Sequence, residues 1–185
     1  MNRSSLMSAC AAATVSLVFA LAVLPAHAAS RAELTRDANT ALSKLYAKYP
    51  SAKQLAGKAK AILVFPQVIK AGLMVGGETG DGVMLAKGKP IGYYNTSGVS
   101  YGLQAGAQKY GYALFIMSDS ALKVLEQAEG FEVGTGPSVV VMDDGLASKT
   151  STTTIDKDIY AFIFSQSGLM AGLGVQGNKL TKLKN

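Results

Sequence analysis

Cysteine, histidine and tryptophan are almost missing from this 185-residue sequence, which has one Cys, one His and no Trp. The two single residues, Cys10 and His27, both lie near the N-terminus. Beyond residue 27 there is neither a thiol nor an imidazole, which excludes disulfides, most zinc sites and most nucleophile–base pairs from that part of the chain. Gly98-Val99-Ser100-Tyr101-Gly102 has the form of a nucleophile elbow, yet that motif works with a histidine base. No Gly-Lys-Ser/Thr triplet occurs, so there is no Walker A loop. Gly172 to Gly177 spells the dinucleotide fingerprint, but without room after it for the helix, second strand and acidic residue that would give it meaning. No enzymatic activity, metal or cofactor is expected.

What is present begins with an address. Arg3, the apolar stretch Ala11 to Leu24 and Ala26-His27-Ala28 form the three parts of an export signal, so residues 1–28 are expected to be cleaved. Leu6-Met7-Ser8-Ala9-Cys10 has the outline of a lipoprotein processing site, but no apolar region precedes Cys10, and simple cleavage is the favoured reading. The expected location is the periplasm or the envelope surface.

Acidic charge is scarce where basic charge is dense. The whole chain carries a formal +6. Between residues 31 and 70 stand Arg31, Arg36, Lys44, Lys48, Lys53, Lys58, Lys60 and Lys70, against only Glu33 and Asp37. Lys179, Lys182 and Lys184 make the other end basic as well. Such ends favour anionic partners. Nucleic acid is not expected, because the tyrosines lie mostly in the neutral middle of the chain, away from the lysines.

Residues 31–49 predict a helix, with Leu34, Ala38, Ala41, Leu42, Leu45 and Tyr49 in one apolar stripe that packs on the rest of the domain. Pro50 ends it, and Ser51 is placed to cap a short helix over 52–56 with Gly57 at its exit. Short apolar runs cut by turn residues follow. Strands are predicted over 61–65, 83–87, 91–95, 112–117, 139–142 and 158–165, with breaks at Pro66, Gly80-Asp81-Gly82, Gly88-Lys89-Pro90 and Tyr110-Gly111. Ser118 or Asp119 caps a helix through Ala128. Asp143, Asp144, Asp156 and Asp158 match no cation-loop spacing and suit turns.

Three stretches share a Gly-Leu-x-small-Gly wording: Gly72 to Gly76, Gly102 to Gly106 and Gly168 to Gly172. They also read as GxxxG, but Glu78, Asp81, Gln104, Gln108 and Lys109 interrupt the apolar surroundings that a membrane helix needs. Period two gives each a glycine face, as in a bent strand approached closely by another backbone. Gly72, Gly76, Gly102, Gly106, Gly168 and Gly172 are therefore read as structural.

In their order along the chain, several segments carry a family resemblance. These are 59–62, 68–73, Gly80-Asp81-Gly82-Val83, 100–107, 113–117, Gly134-Thr135-Gly136-Pro137 and 165–172. From about Lys58 to Gly177 the chain resembles the SYLF domain family, a lipid-binding module of eukaryotic membrane-trafficking proteins and of many exported bacterial proteins. The resemblance implies an α+β fold: a single compact domain with a strongly bent, mainly antiparallel sheet or barrel-like core, N-terminal helices and one internal helix. It implies non-catalytic binding of anionic phospholipid head groups, here at a bacterial cell envelope. Its attribution of lipid contacts to the basic N-terminal flank falls on Lys44, Lys48, Lys53, Lys58, Lys60 and Lys70. Residues 29–57 would form a helical segment and 58–185 the SYLF-like domain. The N-terminal helix is less apolar than a dedicated membrane anchor, and no SH3 or FYVE module accompanies the fold. The alternatives are an envelope structural or protein-interaction module, and a small outer-membrane barrel, with which the helix after Asp119 fits poorly.

Overall fold

The computed structural model describes residues 30–127, 129–132, 137–142, 157–168 and 178–184. The expected export signal, Gly172 and the acidic residues Asp143, Asp144 and Asp156 lie outside them. The elements are α1 (Arg31–Lys48), α2 (Pro50–Lys58), β1 (Ala61–Ala86), β2 (Lys89–Ile116), α3 (Asp119–Glu126), β3 (Glu129–Glu132), β4 (Val139–Met142), β5 (Ile159–Gly168) and β6 (Lys179–Lys182). The class is α+β, with one open, mainly antiparallel sheet in the order β3-β6-β2-β5-β4 and β1 paired to β2. Among the described residues only β4 and β5 run parallel.

Helix α1 begins at a complete capping box. The Glu33 amide donates to Ser30 Oγ at 3.3 Å, and the Ser30 amide donates to Glu33 Oε2 at 2.9 Å. Its predicted stripe is inward, with Leu34, Ala38, Leu42 and Leu45 buried. Helix α2 is longer than expected, with Pro50 in its first turn. Ser51 is not its cap; it is buried inside the helix, whose N-cap is Tyr49. Ser118 does cap α3, its Oγ accepting from the Ala121 amide at 3.2 Å.

The sheet is built on one long hairpin. Three predicted breaks are instead strand, for packing reasons. Pro66 lies where the register shifts between Phe65 and Val68, and among the described residues β1 pairs only with β2, so its missing N–H disrupts little. Gly80-Asp81-Gly82 pairs straight through with Thr96, Asn95 and Tyr94. Its glycines are needed because the hairpin is folded over: a Cβ on Gly80 would lie 2.6 Å from the Gln67 carbonyl oxygen, and one on Gly82 would be 2.7 Å from that of Val64. Gly111 likewise leaves room for the Phe164 ring. The hairpin turns at Lys87-Gly88, both with positive φ (50° and 75°), which matches a tight two-residue turn.

Both sheet faces are covered. Phe65, Met84, Tyr94, Tyr112, Leu114, Ile159 and Leu180 form one core cluster with Ala121 and Leu125 of α3. Val64, Val83, Leu85, Phe115, Tyr160 and Phe162 form another with α1 and α2. The alternation expected along β5 is thus present, with Ile159 and Ala161 in the first cluster and Tyr160, Phe162 and Phe164 in the second. Tyr93 and Tyr94 point to opposite faces, as alternation requires; the Tyr93 hydroxyl lies 3.2 Å from Thr35 Oγ1 on α1, and Tyr94 is fully buried.

The glycine units mark the bend. Between Leu73 and Val75 of β1 the register shifts against β2, so that extra β2 residues, from Gly102 to Gln104, oppose Met74. A Cβ on Gly72 would collide with the Gly76 backbone. Gly106 differs: a Cβ there would meet nothing within 4 Å, but its φ of +140° is unfavourable for other residues. Gly168 closes β5 opposite Gln108.

Candidate basic cleft

A cleft of about 530 Å³ opens between α1, the end of α2, the start of β1 and the β1–β2 turn. Leu42, Tyr46, Ala56, Ala61, Ile62 and Leu85 supply apolar surface, while Asn39, Ser43 and Lys87 supply polar groups. Gly57 and Gly88 leave two stretches of its wall without side chains. Burial pushes the Tyr46 hydroxyl above its ordinary pKa, so it remains a neutral hydrogen-bonding group at physiological pH. Among the described residues no acidic side chain lines the cleft.

Lys87 lines the cleft, and further basic residues adjoin its lining positions in sequence. Lys44 follows the lining residue Ser43, Lys58 follows Gly57, and Lys89 follows Gly88. Lys44, Lys53, Lys58, Lys87 and Lys89 are all exposed. Lys87 and Lys89 are not among the expected site residues; Lys87 ends a predicted strand and Lys89 falls in the predicted Gly88-Lys89-Pro90 turn. Their charge could be assigned to the cleft only once the hairpin was known to fold back toward α2.

The other expected lysines divide. Lys48 is exposed, with its ammonium 4.7 Å from the centre of the Tyr49 ring. Lys60 is exposed and pairs with Asp119 at 3.1 Å. Lys70 does not belong to an exposed basic flank. It is 8% exposed, with its Nζ 3.8 Å from Glu78 Oε2, because alternation along β1 turns Ile69 outward and Lys70 inward with Val68.

Lys70 belongs to a buried polar seam under the bend, with Glu78, Thr96, Gln108 and Asn178. The Tyr112 hydroxyl donates to Thr96 Oγ1 at 2.7 Å. Burial, reinforced by the Glu78 charge, holds the Tyr110 hydroxyl well above the ordinary tyrosine range. Gly98 leaves room for this seam, since a Cβ there would lie 2.8 Å from Asn178 Oδ1.

Gly98 to Gly102 is continuous β2 strand, without the strand-to-helix turn that a nucleophile elbow requires. Among the described residues no group of His, Cys, Asp or Glu could hold a metal. Asp158 instead braces the fold, accepting from Ser118 Oγ at 2.7 Å and from the Ser138 amide and hydroxyl at 3.0 Å each. Among the described residues no helix is long and apolar enough to cross a membrane.

The fold is thus an open, bent sheet with helices on its faces and a cleft that has apolar and polar lining residues. The family model described as Ysc84, Las17-binding protein actin regulator, matches residues 97–185, and this region belongs to that family, the family of the SYLF domain. The family is a lipid-binding or actin-regulator-related module. No curated protein matches the chain.

Proposed function

We propose that this protein binds anionic phospholipid head groups at a bacterial cell envelope, as an exported, non-catalytic, peripheral module. The observation that supports the reading is the exposure of Lys44 on α1, Lys53 and Lys58 on α2, and Lys87 and Lys89 at the hairpin tip, with Lys87 lining the cleft. Each lysine near an anionic membrane is worth about 1 kcal/mol, and the attraction decays within a Debye length of roughly 10 Å at 0.1 M salt. Attachment is therefore weak, reversible and salt-sensitive. The apolar stripe of α1 is occupied by the sheet, so the helix contributes charge and not an inserted face. The N-terminal 28 residues supply the export signal in this reading.

Co-sedimentation with phosphatidylglycerol vesicles tests it. Binding should be strong in low salt, fall steeply as salt rises, and be absent with phosphatidylcholine vesicles. Equal binding to both lipids, or to neither, would sink the electrostatic reading. The family description supports a second reading, a protein-interaction module. Capture of the same envelope protein before and after lipid extraction would favour it.

A further inference from the structure

We infer that the cleft between α1, α2 and the Lys87-Gly88 turn is a discrete subsite for a single anionic phospholipid, which leaves the bilayer plane far enough to seat its glycerol and the root of an acyl chain. The inference rests on the phospholipid reading above and adds a stoichiometric site to a charged surface. Three observations carry it. The volume of about 530 Å³ lies within the range of small-molecule sites. The lining is divided chemically, with Leu42, Ile62 and Leu85 on the apolar side and Ser43, Asn39 and Lys87 on the polar side. A positive charge stands in the lining itself, with Lys87 among the lining residues and the exposed Lys89 beside the same turn. A head group bearing a phosphate satisfies the lysines, and an ester-linked chain covers the apolar side. Inorganic phosphate satisfies only the first, and a zwitterionic lipid carries a choline cation into a basic rim.

Gly57 provides a clean test. A Cβ there meets nothing within 4 Å and its φ is not positive, so a larger side chain would enter the cleft without displacing the fold. In an NMR titration of the purified protein, monomeric dihexanoyl phosphatidylglycerol should shift the methyl signals of Leu42, Ile62 and Leu85 saturably. Glycerol phosphate and dihexanoyl phosphatidylcholine should not. Gly57→Phe should weaken short-chain lipid binding at least tenfold while keeping its melting temperature and its adsorption to phosphatidylglycerol vesicles. Lys87→Asn, which suits the positive φ of the turn, should weaken short-chain binding about fivefold, the equivalent of about one lysine's attraction.

Unchanged short-chain binding in a folded Gly57→Phe variant would overturn the subsite, as would shifts centred on the exposed Val75 and Val99 of the bend. Either result would leave vesicle adsorption standing. Short-chain binding at the cleft without salt-sensitive vesicle adsorption would uphold the subsite and remove the surface-adsorption reading.

Discussion

Lys70 and Glu78 face each other at 3.8 Å from opposite sides of the bend in β1, with side chains 10% and 5% exposed. Eight residues separate them along a single strand, so only the fold-over at Gly72 to Gly76 brings them together. Removing one partner from such a pair strands a buried charge, which typically costs about 3–5 kcal/mol, whereas removing both costs far less. Lys70→Met should therefore destabilise strongly in urea unfolding, and Lys70→Met with Glu78→Gln should recover much of the loss. Simple additivity of the two single changes would show that the pair is not coupled.

The glycines should sort by their surroundings, not by the repeated wording. Gly82→Ala drives a methyl against the Phe65 ring and the Val64 carbonyl, and overpacking of this kind typically costs about 1–3 kcal/mol. Gly106→Ala meets open space and is disfavoured only by its φ, at roughly 1–3 kcal/mol. Gly57→Ala, in helix α2 with open space around it, should raise stability by up to about 1 kcal/mol. Denaturant midpoints for the three variants decide this; a destabilising Gly57→Ala would contradict the geometry.

The lysines should also separate. Replacing Lys44, Lys53 and Lys89 by Gln should weaken adsorption to phosphatidylglycerol vesicles by about 1 kcal/mol each in low salt and flatten its salt dependence. Lys70 variants should act on stability, with lipid binding lost only as the fold is lost. A folded, equally stable Lys70 variant with selectively impaired binding would return Lys70 to the site.

Alkaline unfolding should be coupled to tyrosine ionisation. Burial, with a smaller push from the Glu126 charge, raises the Tyr94 hydroxyl to about 12, and Tyr110 and Tyr112 are shifted upward more strongly. The folded state holds these protons more tightly than the unfolded chain does. The stability they contribute is present below the ordinary tyrosine value near pH 10 and is lost as pH rises above it. Phenolate absorbance should show the buried tyrosines titrating together with loss of near-ultraviolet circular dichroism. Ionisation of all tyrosines near pH 10 in a still-folded protein would contradict their burial.

Much of the fold was legible from periodicity. The stripe of α1, the two faces of β5 and the opposed Tyr93 and Tyr94 depend on local alternation, which a sequence displays directly. The expected breaks at Gly80 to Gly82 and at Tyr110-Gly111 were not turns, because glycine and proline have the same local appearance whether they turn a chain or admit a neighbour. Phe65, the Gln67 carbonyl and Phe164 lie far from those glycines in sequence or across a fold-over, so their demand for space is invisible locally. Of the lipid-contact residues proposed from sequence, the helix lysines Lys44, Lys48, Lys53 and Lys58 are exposed. Lys70 moves to the interior, and Lys87 with Lys89 joins from the hairpin tip.

The sequence by itself determined the chemical vocabulary: no thiol or imidazole beyond residue 27, an excess of lysine toward the N-terminal side, helix and strand periodicities, and ordered segments that resemble the SYLF domain. Those are properties of composition and near-neighbour pattern. Only the tertiary structure decided which positive charges face solvent and which face Glu78, because that depends on the bend in β1. The hairpin also brings Lys87 and Gly88 of its turn to the same cleft as Ala56 and Gly57 of α2, residues far apart in sequence.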